Sequence, residues 1–137
     1  MKKLHFFTAL IFIFTLLISC SKDTKSSTTD SVAGEWKLVN VSGTFAGINN
    51  SFSYGMITWN FNPSNQTVTV INSNPDPNLW DVFESGIYDY EFINNSDSPC
   101  GEQIEIAGTV FGCYTIANDS LVIDQSIADG FAITLKQ

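Results

Sequence analysis

Three observations predict an all-β fold, an antiparallel up-and-down β-barrel of about eight strands. Beyond residue 32, apolar residues recur at every second position, the repeat of a strand with one buried face. No segment in that region repeats at the 3.6-residue period of an amphipathic helix. Clusters of Asn, Asp, Gly and Pro punctuate the alternation so closely that successive strands read as hairpin neighbours. Closing such a meander into a barrel removes the edges on which another chain would pair.

The first strand is expected over 34–41, opening with Gly34-Glu35-Trp36-Lys37-Leu38. A second, over 55–62, sets Ile57, Trp59 and Phe61 against Thr58, Asn60 and Asn62. Asn62-Pro63-Ser64-Asn65 then supplies a hairpin loop into 66–72, where Val68 and Val70 alternate with Thr67 and Thr69. Over 85–93, Tyr88, Tyr90 and Phe92 face away from Asp89 and Glu91; over 102–106, Ile104 and Ile106 oppose Gln103 and Glu105. A tight turn near Ala107-Gly108 leads into 109–117, and Asn118-Asp119 turns that strand into 120–124. Ala128-Asp129-Gly130 introduces the last strand, 129–136, with Phe131, Ile133 and Leu135 on one face. The long connections are 42–54 and 73–84.

The segment before the barrel follows different rules. Lys2 and Lys3 precede an apolar run, Phe6 to Ile18, that is too short to span a bilayer comfortably as a permanent helix. The run ends in Leu17-Ile18-Ser19-Cys20 and polar sequence follows at once. A basic start, an apolar stretch and a small residue before the cut form an export signal, here residues 1–19. The cysteine directly after the cut resembles the lipobox of bacterial lipoproteins. That resemblance implies that the Cys20 thiol is acylated, palmitate being one such chain, and anchors the mature protein to a membrane through lipid. Residues 20–31 contain almost nothing apolar and are expected to act as a flexible tether. Lys and Asp just behind the cysteine also resemble surface-export signals of some Gram-negative lipoproteins. The expected location is therefore the Gram-negative envelope, on the outer membrane, at its periplasmic face or at the cell surface.

Charge narrows the partners. All fourteen acidic residues lie beyond Cys20 and two of the six lysines precede it, so the mature chain sets four lysines against fourteen acids, a net charge of −10 without any arginine. Nucleic-acid affinity rests largely on Lys and Arg neutralising phosphates, so no nucleic-acid partner is expected. A polybasic membrane patch is excluded on the same ground. The acidic surface reads as a solubilising one.

With Cys20 committed to lipid, Cys100 and Cys113 remain as an even pair and are expected to form a disulfide in an oxidising compartment. If the turn sits near Ala107-Gly108, the two fall within a residue or two of direct cross-strand partners. The only histidine, His5, lies in the export signal. This removes histidine-based zinc sites and every Ser-His or Cys-His catalytic pair; no metal and no cofactor is expected.

Gly34-Glu35-Trp36 also resembles the Gly-x-Trp signature that opens lipocalins. Lipobox, short polar tether, Gly-x-Trp, serial strands and Asp129-Gly130-Phe131 near the end together resemble small bacterial lipocalin-like lipoproteins, over the domain 32–137. The resemblance implies that Trp36 packs across one end of an eight-stranded barrel, beside a basic residue of the last strand, here Lys136. It further implies carriage of a small apolar molecule and no catalysis.

The mature chain carries fourteen aromatic residues. Trp59, Phe61, Tyr88, Tyr90 and Phe92 are expected on inward faces, either as the wall of an apolar pocket or as the plug of a mostly filled interior. The plug is the favoured reading, so any cavity should be small. The loop Asn74-Pro75-Asp76-Pro77-Asn78-Leu79-Trp80-Asp81 offers oxygen ligands, but its spacing matches no EF-hand, and it reads as a proline-stiffened solvated loop. A ligand at the rim would meet Trp80 and Phe83 first. The acidic pairs Asp89/Glu91 and Glu102/Glu105 lack the apolar setting of catalytic carboxylates. A non-enzymatic protein is expected: a ligand-binding barrel, or alternatively an interaction module such as an adhesin, an inhibitor or an assembly subunit with an unidentified protein partner. A third reading is a carbohydrate-binding domain using an exposed Trp80 or Trp59.

Overall fold

The structure is a computed structural model in which residues 31–43, 47–125 and 130–137 are described. The export signal, Cys20 and all but the last residue of the tether lie outside them. Among the described residues nine strands run in chain order: β1 Gly34–Gly43, β2 Asn49–Ser51, β3 Ile57–Asn62, β4 Thr67–Asn72, β5 Gly86–Asn94, β6 Glu102–Ile106, β7 Thr109–Ala117, β8 Ser120–Asp124 and β9 Phe131–Lys136. Each strand from β3 to β9 pairs antiparallel with the next, and β9 returns to β1. The result is a closed eight-stranded up-and-down barrel with β2 as a short addition to β1.

β2 is the one strand that period-two reading did not anticipate, since Asn49–Ser51 falls inside the expected connection 42–54. Its three polar residues carry no apolar alternation. Backbone geometry creates it. A bulge at Val39, between the pairs Leu38↔Leu135 and Asn40↔Thr134, breaks the phase of β1 and bends it. The inward set accordingly switches from Trp36 and Leu38 to Val41. Before the bulge one edge of β1 pairs with β3, and after it the same edge pairs with β2. The Asn40 side-chain amide secures the graft by donating to the Asn49 side-chain oxygen (2.8 Å) and the Asn50 carbonyl (3.0 Å).

The turns follow local chemistry. Ala107 and Gly108, and likewise Asn118 and Asp119, all take positive φ (+52°, +73°, +50° and +58°), the pattern of type I′ hairpins matched to strand twist. β7 holds a second bulge. Gly112 lies opposite Ile104 and Val110 opposite Glu105, so Phe111 is the extra residue and both Phe111 and Gly112 point inward. Gly112 has φ +98°, and a Cβ there would lie 2.4 Å from the Asp124 carbonyl oxygen. Only glycine permits that approach of β8.

The barrel interior is filled. Trp36, Leu38, Val41, Ile57, Trp59, Phe61, Val68, Ile104, Ile106, Leu121, Ile123, Ile133 and Leu135 are fully buried or nearly so. They come from β1, β3, β4, β6, β8 and β9, so the core spans the circumference. The end that carries the N-terminal segment is closed by Val32, whose carbonyl accepts a buried hydrogen bond from Trp36 Nε1 (2.7 Å). Gly34, at φ +104°, lets the chain turn from that cap into β1, which explains the glycine of the Gly-x-Trp pattern. Lys136, expected beside Trp36, does not fill that role. Ile133 and Leu135 take the inward positions of β9, so Lys136 is exposed, opposite Lys37.

Candidate functional site

The β-hairpin loops 63–66 and 118–119 are short, whereas the connection between β4 and β5 is long and folds back over the opposite end of the barrel. Its path is set by asparagine and aspartate side chains. The Asn72 amide donates to Asp81 Oδ2 and to the Phe83 carbonyl (2.8 Å each), and the Asn74 amide donates to Asp81 Oδ2 at 3.0 Å. Asn50 reaches across from β2 to the Trp80 carbonyl at 3.2 Å. Within the loop, Asp76 Oδ1 accepts from the Asn78 backbone and side-chain amides (2.9 Å each). Asp81 Oδ2 and Asp76 Oδ1, two of the oxygen atoms the loop offers, are thus engaged in shaping the loop.

This folding drives Phe83 into the barrel mouth. Its ring lies 5.3 Å from Trp59, 4.6 Å from Tyr88 and 5.5 Å from Phe111, centroid to centroid. Such tilted contacts at these distances are favourable beyond the area they bury. The cluster continues inward through Trp59 to Phe61 (6.2 Å) and from Phe61 to Tyr90 (5.1 Å, edge to face). Of the candidates expected from sequence, Trp59, Phe61, Phe83, Tyr88 and Tyr90 therefore form one connected set. Burial pushes the Tyr90 phenol above its ordinary pKa.

Trp80 belongs elsewhere. It stacks on Phe131 at 4.0 Å, and the Phe131 ring in turn covers the Gly43 backbone, where a Cβ would meet it at 2.7 Å. Trp80 remains 36% exposed and is the tryptophan available at the rim. Trp59, by contrast, is fully buried, which removes it as an exposed sugar-stacking platform. It faces inward because it pairs with Trp36 across β1 and β3. Phe92 shares the inward face of β5 but is 37% exposed, because β5 extends past β4 to the opposite rim. There it contacts Tyr90 at 5.7 Å and Tyr114 at 5.1 Å. Tyr114 donates to the Glu102 carboxylate, and burial first, then Glu102, pushes its phenol up to about 12.

Sequence alternation missed Phe111; it placed Phe131 on one face with Ile133 and Leu135 but gave no sign of its contact with Trp80. Phe111 is brought inward by the bulge, and Gly112 beside it was the available signal. Asp89 and Glu91 are exposed on the outer wall of β5, as their alternation predicts. The cysteines bond as expected, with S–S 2.03 Å and Cα–Cα 5.9 Å, tying the β5–β6 loop to β7 beside the pair Gln103↔Cys113.

Cavities among the described residues include three at the edge of or outside the filled core. One of about 310 Å³ is bordered by Gln66, Asp89, Glu91 and Glu105, and one of about 420 Å³ by Asn95, Gln103, Val110 and Gln125. The third, about 230 Å³, sits inside the loop beside Asn74, Asp76 and Asp81. One buried side-chain donor has no hydrogen-bond partner among the described residues: the indole Nε1 of Trp59. No family model, curated protein or solved structure matches this chain.

Proposed function

We propose that this chain is a lipid-anchored envelope lipoprotein whose lipocalin-like barrel binds a small apolar ligand, without catalysis, at its loop-bearing mouth. The observation that carries the reading is the aromatic cluster of Trp59, Phe83, Tyr88 and Phe111, with ring centroids 4.6–5.5 Å from Phe83. The rest of the barrel interior is filled by its own side chains, so a ligand position inside the barrel, as distinct from the cavities outside its core, is confined to that cluster. Aromatic walls bind apolar rings well, and ligand sites typically sit in the mouths of β-barrels. Residues 1–19 act as the export signal, Cys20 carries the lipid and 20–31 tether the barrel to the outer membrane. Native mass spectrometry of the protein purified from its own membranes should find a copurifying small apolar molecule. Repeated isolation of ligand-free protein that also binds no apolar probe would sink the reading. Cys20→Ser should move the protein to soluble fractions without altering its fold.

The outer wall supports a second reading, an interaction module. Ile71 and Ile87, on the outward faces of the neighbouring strands β4 and β5, are 59% and 71% exposed. A stable protein partner recovered from membranes and lost on Ile71→Ser/Ile87→Ser would favour it.

A further inference from the structure

We propose that Phe83 is a built-in occupant of the ligand position, and that the ligand displacing it is a planar aromatic molecule whose hydrogen-bond acceptor is met by Trp59 Nε1. The inference rests on the reading of the barrel as a ligand binder and adds the class of ligand and the residue that selects it.

Two independent features belong to neighbouring side chains, Trp59 and Phe83, whose ring centroids are 5.3 Å apart. The first is the unpaired indole N–H. Trp59 is fully buried and its indole N–H meets no acceptor among the described residues, and a buried donor without an acceptor is a cost that a folded protein rarely leaves standing. Its nearest aromatic neighbours offer rings and no acceptor: Phe83 at 5.3 Å and Phe61 at 6.2 Å. A ligand carrying a carbonyl or ether oxygen beside a ring satisfies both the donor and the surrounding aromatic faces.

The second feature is the way Phe83 is held. Phe83 is only half-buried, unlike Trp59 and Phe111 between which it sits. The residue before it, Val82, has φ +76°, a conformation that β-branched residues avoid. Withdrawal of Phe83 releases that strain. Beside the ring contacts with Trp59, Tyr88 and Phe111, which an incoming ring takes over, what opposes withdrawal is polar: the bonds from Asn72 and Asn74 to Asp81, and those to the Phe83 and Trp80 carbonyls. Water replaces such bonds readily, whereas the aromatic position left behind is refilled only by another apolar ring. The size of the displaced group sets the ligand at one or two fused rings.

The test compares two probes of the same shape, 2-acetylnaphthalene, which has an acceptor, and 2-ethylnaphthalene, which has none. The protein is the mature chain from residue 20 carrying Cys20→Ser, and binding is read by calorimetry and by the Trp59 indole ¹⁵N–¹H resonance. Phe83→Ala, which vacates the position, should bind both probes about tenfold more tightly than the parent, and Asp81→Ala, which frees the loop without touching the rings, should move in the same direction. The ketone should be preferred about fivefold, the size of one neutral hydrogen bond. Trp59→Phe in the Phe83→Ala background should abolish that preference, so that the two probes bind equally whatever the smaller ring costs each of them. Equal binding of the two probes with an unmoved indole resonance overturns the role of Trp59 while the apolar-ligand reading stands. If neither probe binds a folded Phe83→Ala or Asp81→Ala protein, the displaceable position is wrong. A copurifying apolar molecule would then keep the broader reading alive, and its absence would end both.

Discussion

Replacing both Cys100 and Cys113 by serine should destabilise the barrel by about 3 kcal/mol, almost entirely through the unfolded state. The bridge joins residues separated by 13 in sequence. In the chain-entropy model, closing a loop of that length removes about 3 kcal/mol of disorder from the unfolded chain at room temperature. The native loop keeps its path without the bridge. The Asn95 N–H donates to the Gly101 carbonyl (2.9 Å), the Ser98 N–H to the Asn95 carbonyl (3.0 Å) and the Gly101 N–H to the Ser98 carbonyl (3.2 Å). Cys113 is held separately by its pairing with Gln103 on one side and Asp124 on the other. Urea unfolding followed by tryptophan fluorescence is the assay. The midpoint should fall and the denaturant slope should rise, because an uncrosslinked chain exposes more surface when it unfolds. For a domain of about one hundred residues, the loss corresponds to a melting temperature lower by roughly 12–24 °C. A loss below about 1 kcal/mol with an unchanged slope would refute the reasoning, since even a short closed loop should exceed it.

The other predictions concern single residues. Trp36→Phe should cost about 1–3 kcal/mol in the same urea assay, because it leaves the buried Val32 carbonyl without its donor; a neutral result would mean that the cap is dispensable. Gly112→Ala should be far worse than Gly34→Ala. Both glycines have φ near +100°, but a Cβ at 112 meets the Asp124 backbone at 2.4 Å whereas one at 34 meets nothing within 4 Å. Gly34→Ala should therefore lose only the backbone cost of about 1–2 kcal/mol, and equal losses at the two sites would contradict the close-approach argument. Tyr114 should ionise near pH 12, with burial the larger cause and Glu102 the smaller. Its folded pKa lies above the ordinary value of 10.0, so its stabilising contribution is complete below that value and is lost as pH rises through about 12. Phenolate absorbance should show Glu102→Gln lowering that pKa only part of the way, and a full return would make the carboxylate the main cause.

Most of the barrel was legible because each strand buries one face, which writes a period of two into residues such as Ile57-Thr58-Trp59-Asn60-Phe61 and Ile104-Glu105-Ile106. Asn118-Asp119 and Gly108 marked the turns through their tolerance of positive φ. The reading weakened where backbone geometry departs from plain alternation. A bulge puts two neighbours on one face, so the phase of β7 before Gly112 cannot be inferred from the phase after it, and Phe111 was missed for that reason. β2 left no pattern because its residues bury no apolar side chain and gain their place only from the edge that the β1 bulge offers. Lys136 was assigned to Trp36 through a family resemblance, while its parity on β9 already pointed it outward.

Local patterning by itself determined that this chain is an all-β barrel with a paired Cys100 and Cys113 and an aromatic interior, because strand period, turn chemistry and cysteine number are all local or countable. It also set the expectations for an export signal and a lipid on Cys20. The tertiary structure alone decided how those aromatics are divided. Trp59 and Trp80 are indistinguishable in type, yet one is sealed beside Trp36 with an unpaired donor and the other lies on Phe131 at the rim. That division depends on strand register, on two bulges and on a loop tied down by Asp81, all of them relations between residues distant in sequence. Whether a barrel mouth is open or occupied is a property of what folds back into it. Here that is Phe83.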